Sequence, residues 1–239
     1  MTAESDRSSR RDFVTNVGRL ASAAALTACA ASRPAQVLAA PAPGAASGSA
    51  ASSGDWDPSW VDRLATATDR AVFDWPSVGD PADPIVLEIA ARYLDNCAAA
   101  YGTKRHEARV VLNIRTTAVP AALNDAAWAR HSLGMEYGVN DPATRDAAVR
   151  NPFWRLPPGV PATGAPPTLE DLMRRGAIVL VCDFALGHLA KRLATRNGGD
   201  ANEVHRDLRG AFIPGAFAVP SGIFGLARAQ NAGCAYVRV

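Results

Sequence analysis

The chemistry this 239-residue chain could perform gathers around one cysteine. Cys182 ends the apolar run Ala177 to Val181, and Asp183 and a helix-period pattern, "DFALGHLAKRLA", follow it at once. A strand that stops where a helix begins puts the thiol at a helix N-terminus, where free backbone N–H groups and the dipole favour a thiolate. The same edge collects Asp74 after "RAVFD", Arg115 and Thr116 after "ARVVLNI", and Ser221 with Gly222 after "AFAVP". Arg115 would favour the thiolate, and the adjacent Asp183 would oppose it. Pro220-Ser221-Gly222, opening a helix, offers a second set of amide donors suited to an anion such as a persulfide, sulfite or carboxylate. On this reading Cys182 emerges open to solvent as the catalytic candidate, and Asp74, Arg115, Thr116, Ser221 and Gly222 are the ligand-binding candidates. The other reading is a buried, inert cysteine, since free cysteine is among the most buried residue types.

Strands and helices must alternate if these residues are to meet. Short apolar runs at Arg70 to Asp74, Ala108 to Arg115 and Ala177 to Val181, with "AFAVPSG" and the terminal "AYVRV", supply about five strands. Helical periods lie between them. "PIVLEIAARYLDNCAAAYG" places Ile85, Ile89, Tyr93 and Cys97 on one stripe, and "LNDAAWARHSLG" fits one helix with an Asn-Asp start and Gly134 as its stop. Further helices fit "TLEDLMRRG", Asp183 to about Arg196, a polar stretch around Glu203 to Arg209, and "GIFGLARAQNAG". Such alternation implies right-handed crossovers and a three-layer α/β/α sandwich on a mostly parallel sheet. Unbroken apolar strands such as "AIVLV" agree, because a strand buried on both faces loses its alternation. In such sheets ligands bind beyond the carboxyl ends of the strands. A proline-rich insertion at 140–167 interrupts the pattern, and a loop of that length is either a functional cover or a surface excursion.

The remaining reactive residues carry less. Cys97 shares its helix's apolar stripe and reads as core. Cys234 and Cys182 lie at opposite ends of their strands, roughly 15 Å apart, too far for a disulfide. His106, His131, His188 and His205 fall on different elements with no ligand spacing, so no metal site is expected, and His188 is expected to point away from the rim. A Ser221 nucleophile has no histidine placed beside it. The tryptophans read as staples for chain ends and insertion, with Trp75 a candidate to line the rim beside Asp74. No glycine pattern implies a nucleotide cofactor.

A formal net charge of +2 and the lack of a long Lys/Arg run exclude an electrostatic case for nucleic acid. Four cysteines without a C-x-x-C pair exclude a disulfide scaffold and a thioredoxin-type motif. The N-terminus is different in kind. Arg10, Arg11 and Phe13 precede a modestly apolar run from Leu20 to Ala31, the layout of a twin-arginine export signal over residues 1–31 and too weak for a membrane span. Leu26-Thr27-Ala28-Cys29 resembles a lipobox that would lipidate Cys29, while the flanking alanines equally fit simple cleavage. Residues 32–55, rich in Ala, Ser, Pro and Gly, read as a flexible linker to a domain at 56–239. Periplasm or cell envelope is the expected location.

The stretch "VLVCDFALGHLAKRLA", with "FIPGAFAVPSGIFGLARAQNAGCAYVRV" at the end, resembles the DsrE/DsrF-like family of small sulfur-relay proteins, in its exported branch. The resemblance covers about Trp56 to Val239 and is strongest in the last sixty or so residues. It implies the DsrE-like fold, a persulfide-carrying role for Cys182, and a sulfurtransferase-like activity if the protein is an enzyme. It further implies a small sulfur-containing anion or a sulfur-donor protein as partner, and a homo-oligomer. Three features depart from the family: export from the compartment of the relay, the insertion, and Cys234-Ala235-Tyr236 in place of a Gly-Tyr-Ala-Tyr-like sequence. A non-enzymatic cell-envelope module that binds a ligand or partner, with a structural cysteine, is the alternative.

Overall fold

The computed structural model describes residues 56–104, 107–157 and 160–239. The expectations for Arg10, Arg11, Phe13, Cys29, the linker and His106 lie outside the described residues. Five strands form one sheet: β1 (Asp69–Trp75), β2 (Ala108–Ile114), β3 (Ile178–Cys182), β4 (Phe217–Val219) and β5 (Ala235–Arg238). Their order is β4-β3-β2-β1-β5, and every neighbouring pair is parallel.

The order explains the layers. From β1 to β4 the chain steps in one direction, so right-handed crossovers put the intervening helices on one face. These are α2 (Ile85–Tyr101), a 3-10 helix (Thr116–Ala122), α3 (Asp125–Arg130), α4 (Leu133–Tyr137), α5 (Leu169–Arg174), α6 (Asp183–Asn197) and α7 (Ala201–Gly210). The step from β4 to β5 runs back across the sheet and sends α8 (Gly222–Asn231) to the other face, beside α1 (Ser59–Ala65). Strand residues divide accordingly. Phe73, Leu112 and Val179 belong to the larger core, while Val72, Val111 and Leu180 pack with Trp60 and Leu64 of α1 in the smaller one. Each large apolar side chain buried this way contributes about 2 kcal/mol.

Register sets the functional edge. Asp74 pairs with Asn113, Ile114 with Val181, and Cys182 with Val219, so the carboxyl ends of four strands are level.

The structure corrects several local expectations. The single helix expected over 123–134 is two, α3 and α4, broken where Ser132 takes a left-handed φ of 48°. Gly134 is no stop but lies inside α4, where a Cβ would sit 2.3 Å from the Ala148 carbonyl oxygen. Glycine here permits the insertion's backbone to press against the helix. The stripe of α2 is rotated from the expected one. Ile85 is exposed, and Val86, Leu87, Ala90, Leu94 and Cys97 form the buried face. Trp75 points into the core, edge-on to Phe153 at 5.8 Å, rather than lining a rim with Asp74.

Candidate functional site

Arg115, Thr116, Cys182, Ser221 and Gly222 line one cleft of about 430 Å³ at the carboxyl edge of the sheet. Each arrives there by a local device. Cys182 is both the last residue of β3 and the N-cap of α6, its Sγ accepting the Ala185 N–H at 3.3 Å. Ser221 caps α8 in the same way, its Oγ accepting from the Phe224 N–H at 3.2 Å. Two helix N-termini therefore open on the cleft from opposite faces of the sheet.

The thiol is less open than the sequence suggests. Cys182 is 4% exposed, though it still touches the cleft. Asp183 turns away toward α7, where His205 Nε2 lies 3.0 Å and Arg209 Nε 3.7 Å from its carboxylate. Its charge is directed at those partners rather than at the sulfur.

Asp74 does not line the cleft. It lies behind Arg115, 4% exposed, and accepts from Arg115 Nε and Nη2, each at 2.7 Å, and from the Tyr236 hydroxyl at 3.2 Å. Burial pushes this carboxyl up, but the Arg115 guanidinium and the Tyr236 hydroxyl outweigh burial and hold it below the ordinary carboxylate value. Arg115 is raised in turn, chiefly by its hydrogen bonds to Asp74. The amide of Asn113 lies beside this pair, fully buried and without a hydrogen bond of standard geometry. Asp74 thus positions Arg115 and offsets much of the positive charge expected to act on Cys182.

Two further features shape the cleft. Thr116 is β-branched yet takes a left-handed φ of 48°, held by a hydrogen bond from its hydroxyl to the Pro76 carbonyl. Such a residue stores about 1–3 kcal/mol that the surrounding fold must offset. Gly222 is required by close approach, since a Cβ there would fall 2.7 Å from both Cβ and Cδ of Arg115.

His188 and Arg192 join the cleft beyond the expected set. Both line the cleft, which overturns the expectation that His188 points away. Counted along α6, Ala185, His188 and Arg192 form an i, i+3, i+7 stripe one step after the Cys182 cap, and that spacing was the available signal. The His188 ring meets Phe184 edge-on at 4.7 Å. Phe184, 67% exposed, and Ile223, 77% exposed, give the cleft an apolar lip. Cys97 is core, as expected, and Cys234 is buried; both are pushed up by burial, Cys234 to about 11. Among the described residues no group of three metal-ligating side chains forms, and no helix is long and apolar enough to cross a membrane.

No family model matches the chain, and no curated protein matches it. Among solved structures it is similar to a protein of unknown function from Methanobacterium thermoautotrophicum. That likeness is at 15% identity with a TM-score of 0.35, over 72% of this chain and 99% of the other.

Proposed function

We propose that the chain is an exported protein of the DsrE-like type that binds or transfers sulfur through Cys182. The observation that carries this reading is the placement of Cys182 as the cap of α6 in a cleft shared with Arg115, Thr116 and the Ser221 cap of α8. Amides at two helix starts favour an anion at the sulfur, and the apolar lip limits water around it. In the transfer step the Cys182 thiolate attacks the outer sulfur of a donor persulfide. The donor's S–S bond breaks, the donor leaves as a thiolate, and Cys182 holds the new S–S bond, so no external oxidant is consumed. Arg115, Thr116 and the Ser221–Gly222 turn cradle the anionic sulfur. Its partner is accordingly a small sulfur-containing anion or a sulfur-donor protein, and the activity sulfurtransferase-like.

Export rests on Arg10, Arg11 and Phe13, with Cys29 either lipidated or removed. The burial of Cys182 favours a second reading, in which the cysteine is a structural cap in a ligand- or partner-binding module of the cell envelope.

Intact-protein mass spectrometry after incubation with glutathione persulfide, followed by peptide mapping, separates the two. One added sulfur atom on Cys182, abolished in Cys182→Ser, is expected. An unmodified Cys182 with the added sulfur on no thiol ends the transfer reading and leaves the structural one.

A further inference from the structure

A second cavity lies away from Cys182, between the loop after β1 and the proline-rich insertion. It encloses about 310 Å³, within the range of small-molecule sites. Its floor is Leu87 and Phe153, both buried, and its walls include Pro81, Pro84, Pro152 and Pro166.

This wall is built in advance. Proline fixes its own φ, so a pocket edged by prolines has little conformational entropy left to lose on binding. The insertion is also latched from below. Asn151, 1% exposed, donates through Nδ2 to the carbonyls of Ala121 and Leu123, and its Oδ1 accepts from the Phe153 N–H. Beyond the cavity, Leu169 N–H donates to the Phe153 carbonyl, tying the far end to the start of α5. The insertion, which the sequence leaves as either a functional cover or a surface excursion, is thus a preformed concave surface with an apolar interior.

Charge at the mouth selects the occupant. The charged residues lining the cavity are Asp141, Arg150 and Arg155. Asp141 is satisfied internally, accepting from the Ala143 and Thr144 N–H groups and from Arg150. Arg155 stacks on the Trp154 ring with its guanidinium carbon 3.6 Å from the centroid, and it has no carboxylate partner among the described residues. One carboxylate against two guanidiniums leaves the mouth with a net positive charge beside an apolar interior. A neutral oil would gain nothing from that mouth, and a small hydrophilic anion nothing from the interior. We propose that this cavity is a binding site for small carboxylates with a flat or branched apolar body, the body lying on Leu87 and Phe153 and the carboxylate meeting Arg155 and Arg150.

The probes are 3-phenylpropionate and its neutral counterpart 3-phenylpropan-1-ol, titrated calorimetrically into the full chain. The carboxylate is expected to bind with a Kd of about 1 mM or below, and the alcohol roughly fivefold or more weakly. Arg155→Gln, at an exposed side chain, should weaken the carboxylate about threefold or more and leave the alcohol unchanged. Ala82→Trp, which fills the mouth from an exposed position, should abolish both while the thermal midpoint is unchanged. Cys182→Ser should change neither, which separates this site from the cleft at the sheet edge. No binding of the carboxylate, equal affinity for acid and alcohol, or affinity untouched by Ala82→Trp would each overturn the proposal.

Discussion

Arg115 and Asp74 meet edge to edge, Nε to Oδ1 and Nη2 to Oδ2, both at 2.7 Å. The carboxylate is buried and the guanidinium is roughly a third exposed, so the acid is fixed and the arginine is aimed by it. A lone arginine at the cleft would swing through several rotamers; held at two points, it presents one face beside Gly222.

Replacing Asp74 by Asn keeps the shape and removes the charge. Its folded-state value is depressed, so its contribution is complete above the ordinary 3.8 and is lost as pH falls through the lower folded value. At neutral pH Asp74→Asn should therefore cost about 1–3 kcal/mol, less than a fully buried pair because Arg115 keeps contact with water. The two proteins should converge in acid. Urea melts across the acid range check this, and a gap that keeps its neutral-pH size as the solution is acidified far below 3.8 would exclude Asp74 as its source.

Gly222→Ala should be destabilising by about 1–3 kcal/mol, because the new methyl meets the base of the Arg115 side chain, which cannot swing aside. The neighbouring contact is softer. At Gly225 a Cβ would lie 2.6 Å from Asn113 Oδ1, a side-chain atom. Gly225→Ala should lower the thermal midpoint in the native background and lower it much less with Asn113→Ala, a coupling that a double-mutant cycle reads directly.

The central strands β2 and β3 were legible because each is a short, β-branched, nearly unbroken apolar run, and burial on both faces imposes that composition. The cleft followed from them, since parallel strands with level ends bring Arg115, Cys182 and Ser221 together whatever the loops do. What stayed hidden depends on tertiary contact. Gly134 looks like a helix stop, and only the approach of Ala148 shows why it is glycine. Tyr236 is one residue in a terminal strand until β5 crosses back beside β1 and sets its hydroxyl on Asp74. The depth of Cys182 depends on tertiary packing around the end of β3, which periodicity does not encode.

Cys182 is a helix cap whatever else it does, and its substitutions should divide on that role. Serine is a better acceptor than sulfur at this position, so Cys182→Ser should keep stability within about 0.5 kcal/mol. Cys182→Ala leaves the Ala185 N–H without its side-chain acceptor and should cost about 1 kcal/mol. Denaturant melts distinguish the pair. Equal stability of the two variants would mean that the cap contributes nothing, and the hold on the sulfur would then come from packing alone.

Asn151 carries the heaviest polar duty in the insertion. Its side chain makes three hydrogen bonds to backbone groups, and its own N–H donates to Asp125 Oδ1 at 3.0 Å, joining the insertion to the start of α3. Asn151→Ala strands two buried carbonyls and one N–H, and each unsatisfied group costs about 1–3 kcal/mol. The carbonyls belong to the end of the 3-10 helix and the N–H to Phe153, so the loss should fall on the insertion before the sheet. Trypsin should then cut at Arg150 or Arg155 well below the denaturation midpoint, while the body from β3 to β5 stays protected. Asn151→Asp keeps the acceptor but removes the donors and adds a buried charge, so it should be the worse variant of the two. Cleavage at the same rate as in the parent chain would show that the prolines alone hold the insertion in place.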